Sequence, residues 1–189
     1  MDNLLQAAIQ YENLLHKDFI YLLEQDLSIT VNFQPQHFHH LLGLQKLTDI
    51  DQVQKTVKSD KHAPRNDARD IYKNIRQGLI SFEDISKSVY FKTIENRLEQ
   101  FSQINRIVEF EKIIIDFNTK LLGFDSNLKK AQYLLHKQSN TGLYLNLFLG
   151  HDSTKPNKQL TFITSSTDQY IFGQKSLKIL DLKTISLKK

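Results

Sequence analysis

Three histidines stand within four positions of one another in this chain. His37, His39 and His40 follow a segment with strand-like alternation and precede Leu-Leu-Gly-Leu. Imidazole is the one side chain whose unperturbed pKa allows it both to give and to take protons near neutral pH. On a helix, His37 and His40 share a face, whereas His39 points elsewhere. The cluster indicates a general acid or base, and a buried structural histidine at position 40 is the alternative.

Other kinds of catalytic site have less support. His37 and His40 would supply half of a metal site, but no His-Glu-x-x-His or Cys/His pattern supplies further ligands. We therefore expect no metal and no other cofactor. The chain also lacks a Gly-x-Ser-x-Gly elbow, a glycine-rich phosphate loop and a dinucleotide fingerprint. These absences argue against kinases, NTPases, α/β-hydrolases and nicotinamide enzymes.

Three further positions carry polar side chains on predicted elements, and two of them, Arg97 and Thr161, could bind a phosphate. Arg97 falls in the middle of a helical segment, where surface ion pairs with Glu95 or Glu99 are the alternative to an inward guanidinium that reaches a phosphate. Tyr133 is expected to be half-buried on a strand. Thr161 lies on another strand, where hydroxyl groups are common without any function.

The charge of the chain is unevenly distributed. Residues 1–119 contain 14 Lys and Arg against 17 Asp and Glu, whereas residues 120–189 contain 11 Lys against 4 acidic residues. A solvated lysine surface is one interpretation. The other is a surface that faces phosphates, because a lysine-rich sheet attracts nucleic acid without reading its sequence.

Length and composition indicate one ordinary domain over residues 1–189. The chain has no cysteine, which excludes disulfides and thiolate chemistry and favours a reducing, cytoplasmic location. The first residues lack the basic and apolar regions of a secretory signal, and no apolar run approaches the length that spans a membrane. We therefore expect no membrane partner.

The first part of the chain predicts a helix, a strand and a second helix. Apolar residues recur at helical spacing over 2–25, with Asp2 near the start. Residues 27–33 alternate with period two and predict a strand that Pro35 ends. Residues 36–46 then predict a short helix that carries the histidines.

A helical insertion is predicted over about residues 49–108. Its elements are a short helix over 49–58, a loop over 58–65, a helix over 66–77 with Asn66 as cap and Gly78 as stop, a capping box at Ser81, and a longer helix over 88–108. Five apolar residues share one face of the longer helix: Ile94, Leu98, Phe101, Ile104 and Val108.

The pattern changes from about residue 111. Short β-rich runs are separated by turn-like clusters, and such short connections favour antiparallel pairing. The predicted strands cover residues 112–117, 130–137, 143–149, 159–164, 169–172 and 177–185. The sequence thus predicts an α+β fold whose sheet lies mainly within 111–185 and is joined by the strand at 27–33.

Several segments together resemble one family. Phe38-His-His40-Leu-Leu-Gly43-Leu44 is similar to the Phe-x-His-Leu-x-Gly-Leu signature of the phage-associated nuclease-like domains grouped with barnase, EndoU, colicin nucleases and RelE, the PBECR group, and most like its fourth subfamily. Further similar segments follow in the expected order: residues 71–75 with Gly78, Lys87-Ser88, Arg97-Leu98, residues 130–135, 145–149 and 160–162. The resemblance extends from about Tyr11 to Lys183.

The resemblance implies an N-terminal helix and a helical insertion packed on a four- to five-stranded antiparallel sheet. It also implies a metal-independent endoribonuclease of phage or mobile-element origin. The matching polar positions are His40, Ser88, Arg97, Tyr133 and Thr161. Gln132 is a departure, because an acidic residue is expected there in the Ala-Asp-Tyr pattern.

Roles can be assigned on the basis of that resemblance. His40 would act as base or acid, while Arg97 and Lys130 would hold the phosphate and Tyr133 would stack on a base or donate a proton. Lys46 and His39 are further candidates for substrate binding, and His39 or His136 for the second acid or base.

Two hypotheses about function remain open. RNA is the expected partner of a toxin-like nuclease, and an antitoxin or immunity protein is a second partner. The alternative is a catalytically degenerate copy that binds nucleic acid or protein. That alternative predicts a buried, hydrogen-bonded His40.

Overall fold

The computed structural model describes residues 2–55, 67–152 and 155–187, without the side chains of 151–160. The chain divides into two compact units. The helical unit comprises Met1–Leu15 and Gln34–Ser102, and the sheet unit comprises His16–Phe33 and Gln103–Lys189. The chain therefore alternates between the units instead of completing one before it begins the other.

Five α-helices are described in the helical unit. They are α1 (Asn3–Glu12), α2 (Pro35–Leu42), α3 (Ala68–Arg76), α4 (Phe82–Ser86) and α5 (Glu95–Gln100). Short 3-10 turns lie at Leu44–Lys46, Asp51–Val53, Phe91–Thr93 and Phe101–Gln103. Four aromatic rings from α1, α2, α3 and the turn after α5 contact one another at the core, with centroid separations of 5.2–6.1 Å: Tyr11, Phe38, Tyr72 and Phe101.

Side-chain caps fix where these helices begin. Asp2 caps α1 by accepting from Leu5 N at 2.8 Å, and its second carboxylate oxygen accepts from Phe82 N at 2.7 Å. The capping box predicted at Ser81 is confirmed, with Ser81 and Asp84 each accepting from the other's backbone N–H. Asp67 caps α3. The predicted cap at Asn66, the loop over 58–65 and part of the helix over 49–58 lie outside the described residues.

The sheet unit contains α6 (Ile104–Phe110) and seven described strands. These are β1 (Lys17–Leu23), β2 (Ser28–Asn32), β3 (Ile113–Asp116), β4 (Ala131–Gln138), β5 (Tyr144–Asp152), β6 (Lys155–Ser165) and β7 (Lys175–Ser186). Their order is β1-β2-β6-β5-β4-β3-β7, and β7 returns to pair with β1, so that the sheet closes on itself. Pairing is antiparallel except between β2 and β6. The predicted α+β class is confirmed, but the prediction of four to five strands was too low.

The largest local error concerns the predicted helix over 2–25. Helix α1 ends at Glu12, and the chain turns at His16, whose φ is 58°. The residues that follow bury Phe19, Tyr21 and Leu23 at every second position, which is the period of a strand. Pairing of β1 with both β2 and β7 outweighs the weak helical spacing of these leucines and isoleucines.

Two other predicted elements differ. The helix over 88–108 is divided into 3-10 turns, α5 and α6, although its five predicted face residues are all buried. The predicted strand over 169–172 is a hydrogen-bonded turn, in which Ile171 N and Phe172 N both donate to Asp168 O.

Candidate active site

Helix α2 presents the histidine cluster and ends at Gly43. Its first turn contains Pro35, and His37 Nδ1 accepts from Gln34 N at 3.3 Å. Gly43 closes the helix in the left-handed region with a φ of 82°, and its N–H donates to His40 O. The last turn of α2 therefore holds both His39 and His40 next to a sharp change of chain direction.

His39 is the buried structural histidine of the cluster. It is 1% exposed, and its Nε2 lies 2.7 Å from Val53 O, so the N–H of that nitrogen donates to the carbonyl. Burial lowers the pKa of His39 to about 4, although the contact with Val53 acts in the opposite direction. Its Nδ1 is buried without a hydrogen-bond partner among the described residues. A neutral, enclosed ring of this kind is not available to a substrate, in contrast to the role proposed for it from the sequence.

His40 is exposed at the end of α2. The sequence left a buried structural histidine at position 40 as an alternative, and the structure places that kind of histidine at position 39. His40 therefore has the accessibility that a catalytic acid or base needs.

Arg97 of α5 lies against the end of α2. It is 7% exposed, and its Nη1 donates to Leu41 O at 3.4 Å. Leu41 is the residue after His40, so the guanidinium contacts the backbone one position along the chain from the histidine. Arg97 is therefore an inward residue; Glu95, one of its proposed surface partners, pairs with Lys92 at 2.7 Å.

Gly43 makes this approach of Arg97 feasible. A Cβ at position 43 would lie 2.7 Å from Arg97 Nη1 and 3.1 Å from Ile94 Cγ2. The family signature therefore has a physical basis, because its glycine both ends α2 and leaves room for the guanidinium.

Lys46 brings a second cation to the same place. It lies in the 3-10 turn that follows Gly43 and is exposed. Neighbouring protein atoms partly desolvate its amine, and this effect, followed by the positive charge of Arg97, lowers the pKa of Lys46. Lys46 and Arg97 repel each other as cations, and an anion bound between them would stabilise the charged forms of both.

Ser88 is held by a nearby carboxylate. Its hydroxyl donates to Asp49 Oδ1 at 2.5 Å and accepts from Tyr90 N at 3.1 Å, while Asp49 Oδ2 accepts from Val89 N at 2.9 Å. The hydrogen bond from Ser88 lowers the pKa of Asp49. This closed set of contacts joins the residues before the second 3-10 turn to the end of α4.

The remaining predicted residues belong to the sheet unit. Lys130 is exposed just before β4, and Tyr133 and Thr161 are half-buried on β4 and β6. Leu134 pairs with Phe148, which pairs with Thr161, so these three share one face of the sheet. Tyr133 precedes Leu134 and points to the opposite face. The sheet does not bring Tyr133 and Thr161 to a common surface.

Burial and the negative charge of Asp116 raise the pKa of Tyr133, which keeps its hydroxyl protonated. Gln132, where the resemblance leads us to expect an acid, is exposed next to it. Among the described residues, no group of three or more His, Asp and Glu side chains has an arrangement that could hold a metal ion.

Comparison with known proteins identifies the family. The model of the phage-Barnase-EndoU-ColicinE5/D-RelE like nuclease4 family matches residues 3–188. The chain belongs to this nuclease family. The resemblance to the fourth PBECR subfamily is thus confirmed, and a nucleic acid is the substrate that the family implies. No curated protein and no solved structure matches the chain. In the part that the structure describes, no helix is long and apolar enough to cross a membrane.

Sequence reasoning missed several features of this site. It identified His40 and Arg97 but gave no role to Asp49 and did not pair Lys46 with Arg97. The isolated Gly43 was the available signal, since a lone glycine after a helix marks a left-handed cap and a close approach. Which side chain makes that approach depends on a contact across 54 positions, which no local pattern encodes.

Proposed function

We propose that the chain is a metal-independent endoribonuclease whose chemistry centres on His40, Arg97 and Lys46. The observation that carries this proposal is the joint position of two cations at the turn after α2, beside an exposed histidine. A phosphate is the anion that such a pair suits, because arginine binds its oxygens through parallel N–H groups and lysine adds a point charge.

The reaction has defined atomic steps. The 2′-hydroxyl of a ribose attacks the adjacent phosphorus and loses its proton to a base, which forms a bond from O2′ to phosphorus. The bond from phosphorus to the 5′-oxygen breaks, and an acid protonates that oxygen, so the products are a 2′,3′-cyclic phosphate and a 5′-hydroxyl. His40 serves as base or acid, and the two cations stabilise the charge on the phosphorane.

Two other residues have supporting roles in this proposal. Tyr133, protonated at neutral pH, is a matching position of the sheet unit and a candidate to donate a hydrogen bond or a proton to RNA. Ser88 acts by holding Asp49 and its chain segment, and it does not contact RNA. Thr161 and Lys130 are weaker candidates for contacts with RNA. Their support is the resemblance, and no contact among the described residues connects either of them with His40.

A phage-linked nuclease with a basic sheet suits the role of a toxin of a mobile element, held inactive by an acidic antitoxin or immunity protein. Such a partner would cover lysines with carboxylates. Co-expression with the proteins encoded by neighbouring genes, followed by co-purification and an RNA cleavage assay, would test this part of the proposal. A co-purifying protein that leaves cleavage unchanged would oppose it.

The first experiment is cleavage of a mixed RNA pool in EDTA by the wild type, His40→Ala and Arg97→Gln. We expect cleavage by the wild type that is lost in both variants while their circular dichroism spectra stay native. Arg69→Gln is a matched control, because Arg69 is an exposed arginine of the same unit. Cleavage that survives in His40→Ala would exclude His40 from the chemistry.

A degenerate binding module is the second candidate, favoured by Gln132 at the position where an acid is expected. RNA binding without cleavage in the wild type, with cleavage restored by Gln132→Asp, would establish it. If Gln132→Asp gains no RNA cleavage, the glutamine at position 132 no longer supports a degenerate site.

A further inference from the structure

Two loops of the sheet unit are tied together at their bases. They comprise residues 117–130 and 166–174, and we call them the paired loops. Asn118 N donates to Gln174 Oε1 at 2.9 Å, and Gln174 Nε2 donates back to Asn118 O at 3.1 Å. This reciprocal pair fixes the two loops beside each other on the sheet face that carries Phe148.

A series of edge-to-face aromatic contacts leads from the core to the surface of the paired loops. The ring centroids of Phe117 and Phe148 are 5.0 Å apart, those of Phe148 and Tyr170 are 5.2 Å apart, and those of Tyr170 and Phe124 are 5.8 Å apart. Phe117 and Phe148 are buried, whereas Phe124 is 41% exposed. The outermost ring is therefore supported by packed aromatic rings beneath it.

Phe172 lies in the second of the paired loops and projects into solvent. It is 77% exposed, and its backbone N–H donates to Asp168 O at 3.0 Å. The next residue, Gly173, has a φ of 72°, and Gln174 N donates to Ile171 O at 3.2 Å. The turn thus presents a large apolar ring to solvent from a hydrogen-bonded backbone.

Lysines accompany these rings. The paired loops contain three exposed lysines, Lys120, Lys129 and Lys130, against the two acids Asp125 and Asp168. Lys175, which follows them, lies opposite Asp116 in the pairing of β3 with β7. Exposed aromatic rings interleaved with lysines fit an anionic partner that itself has flat apolar faces. Single-stranded RNA has both properties, since its bases stack on aromatic rings and its phosphates attract lysine.

We propose that the paired loops form a base-stacking platform for single-stranded RNA, with Phe172 and Phe124 as the stacking rings. The inference rests on the proposed function for its choice of RNA, but it concerns binding and not cleavage. Because every base has a stacking face, the platform holds RNA with little preference for sequence.

The chain has no tryptophan, which makes a direct test feasible. Phe172→Trp, made in the His40→Ala background to prevent cleavage, places the one tryptophan of the chain on the platform, where it can be excited selectively over the seven tyrosines. We expect a 12-nucleotide single-stranded RNA to quench its emission, and an abasic oligonucleotide of the same length to leave it nearly unchanged. Equal responses to both probes, no response to RNA, or a response to anionic phosphatidylserine vesicles alone would overturn the platform.

A second measurement uses fluorescence anisotropy of labelled RNA. Phe172→Ala is expected to weaken binding about tenfold, and Phe172→Tyr to retain it. Phe110→Ala is the matched control, because Phe110 is 66% exposed in the same unit but lies outside the paired loops. Unchanged affinity in Phe172→Ala would also overturn the proposal.

These results are separable from those on cleavage. Base-dependent quenching with no RNA cleavage by the wild type supports the platform and opposes the nuclease chemistry. Cleavage that needs His40 but is indifferent to Phe172, together with unchanged RNA affinity, supports the chemistry and opposes the platform.

Discussion

Arg97 occupies the space that a side chain at Gly43 would need. Its Nη1 lies 2.7 Å from where the Cβ of any other residue would stand, and it donates to the carbonyl of Leu41 at the end of α2. The glycine of the signature motif and the arginine of α5 therefore act as a matched pair, although 54 positions of sequence separate them.

Gly43→Ala is expected to displace the guanidinium and to abolish RNA cleavage. Gly78→Ala provides the control, because Gly78 also has a positive φ, of 73°, but nothing lies within 4 Å of its Cβ position. Both variants incur backbone strain of about 1–2 kcal/mol. Chemical denaturation should show a larger loss of unfolding free energy for Gly43→Ala than for Gly78→Ala. The difference between the two losses measures the steric conflict with Arg97 and Ile94. Equal losses, with cleavage intact, would contradict the pairing.

Arg97→Gln is expected to raise the pKa of Lys46. The positive charge of Arg97 disfavours the protonated amine, so its removal stabilises the charged form. An NMR titration of the lysine side-chain resonances would measure the change, with the other lysines as internal references. The effect should be largest at low salt, since Lys46 is exposed to screening ions. A pKa that does not move would mean that desolvation alone lowers it.

Stability should fall on acidification because of His39. Burial lowers its pKa in the fold to about 4 from an ordinary value of 6.5, so the unfolded chain binds the proton first. The contribution is complete above pH 6.5 and is lost as the pH falls to about 4, with a maximum of about 3 kcal/mol.

Urea denaturation at pH 7 and pH 4.5 would test this prediction. His39→Gln keeps an N–H for Val53 O but cannot titrate, so its stability should vary much less across this interval. Burial also lowers the pKa of His136, and His136→Gln measures that parallel contribution. If the unfolding free energy of His39→Gln depends on pH as steeply as that of the wild type, other groups cause the acid sensitivity.

Ser88→Ala is expected to raise the pKa of Asp49 and lower the melting temperature, because the hydroxyl that donates to that carboxylate is lost. Cleavage per folded molecule should stay near that of the wild type, since the proposal gives Ser88 a structural role. NMR titration of Asp49 and an RNA assay below the melting temperature are the two measurements. Loss of cleavage at full folding would place Ser88 in the chemistry.

Local signals predicted much of the secondary structure. The capping box at Ser81, the stop at Gly78, the strand at β2 and the helix of the histidines all depend on residues within a few positions of one another. The strand β1 was mistaken for helix because its leucines and isoleucines suit both periods, and partners more than 150 positions away decide between them. The number of strands in the sheet depends on the same distant pairing.

The candidate site was predicted in composition but not in arrangement. The sequence drew attention to neighbouring histidines but could not tell which one is buried. That choice depends on Val53 O, which accepts from the ring of His39, and on the face of α2 that is buried, which includes His39 with Phe38, Leu41 and Leu42. Similarly, the resemblance supplied both Tyr133 and Thr161, whereas strand register separates them onto opposite faces.

Pairing of β1 with β7 joins Lys17 to Ser186. During synthesis, residues 17–23 leave the ribosome long before the strand that closes the sheet beside them. The nascent chain must therefore keep β1 and β3 without their shared neighbour until almost the whole described sequence has been translated. Arrival of β7 is thus the step that completes the closed sheet, and a chain that stops before Lys175 would leave both β1 and β3 with an unpaired edge.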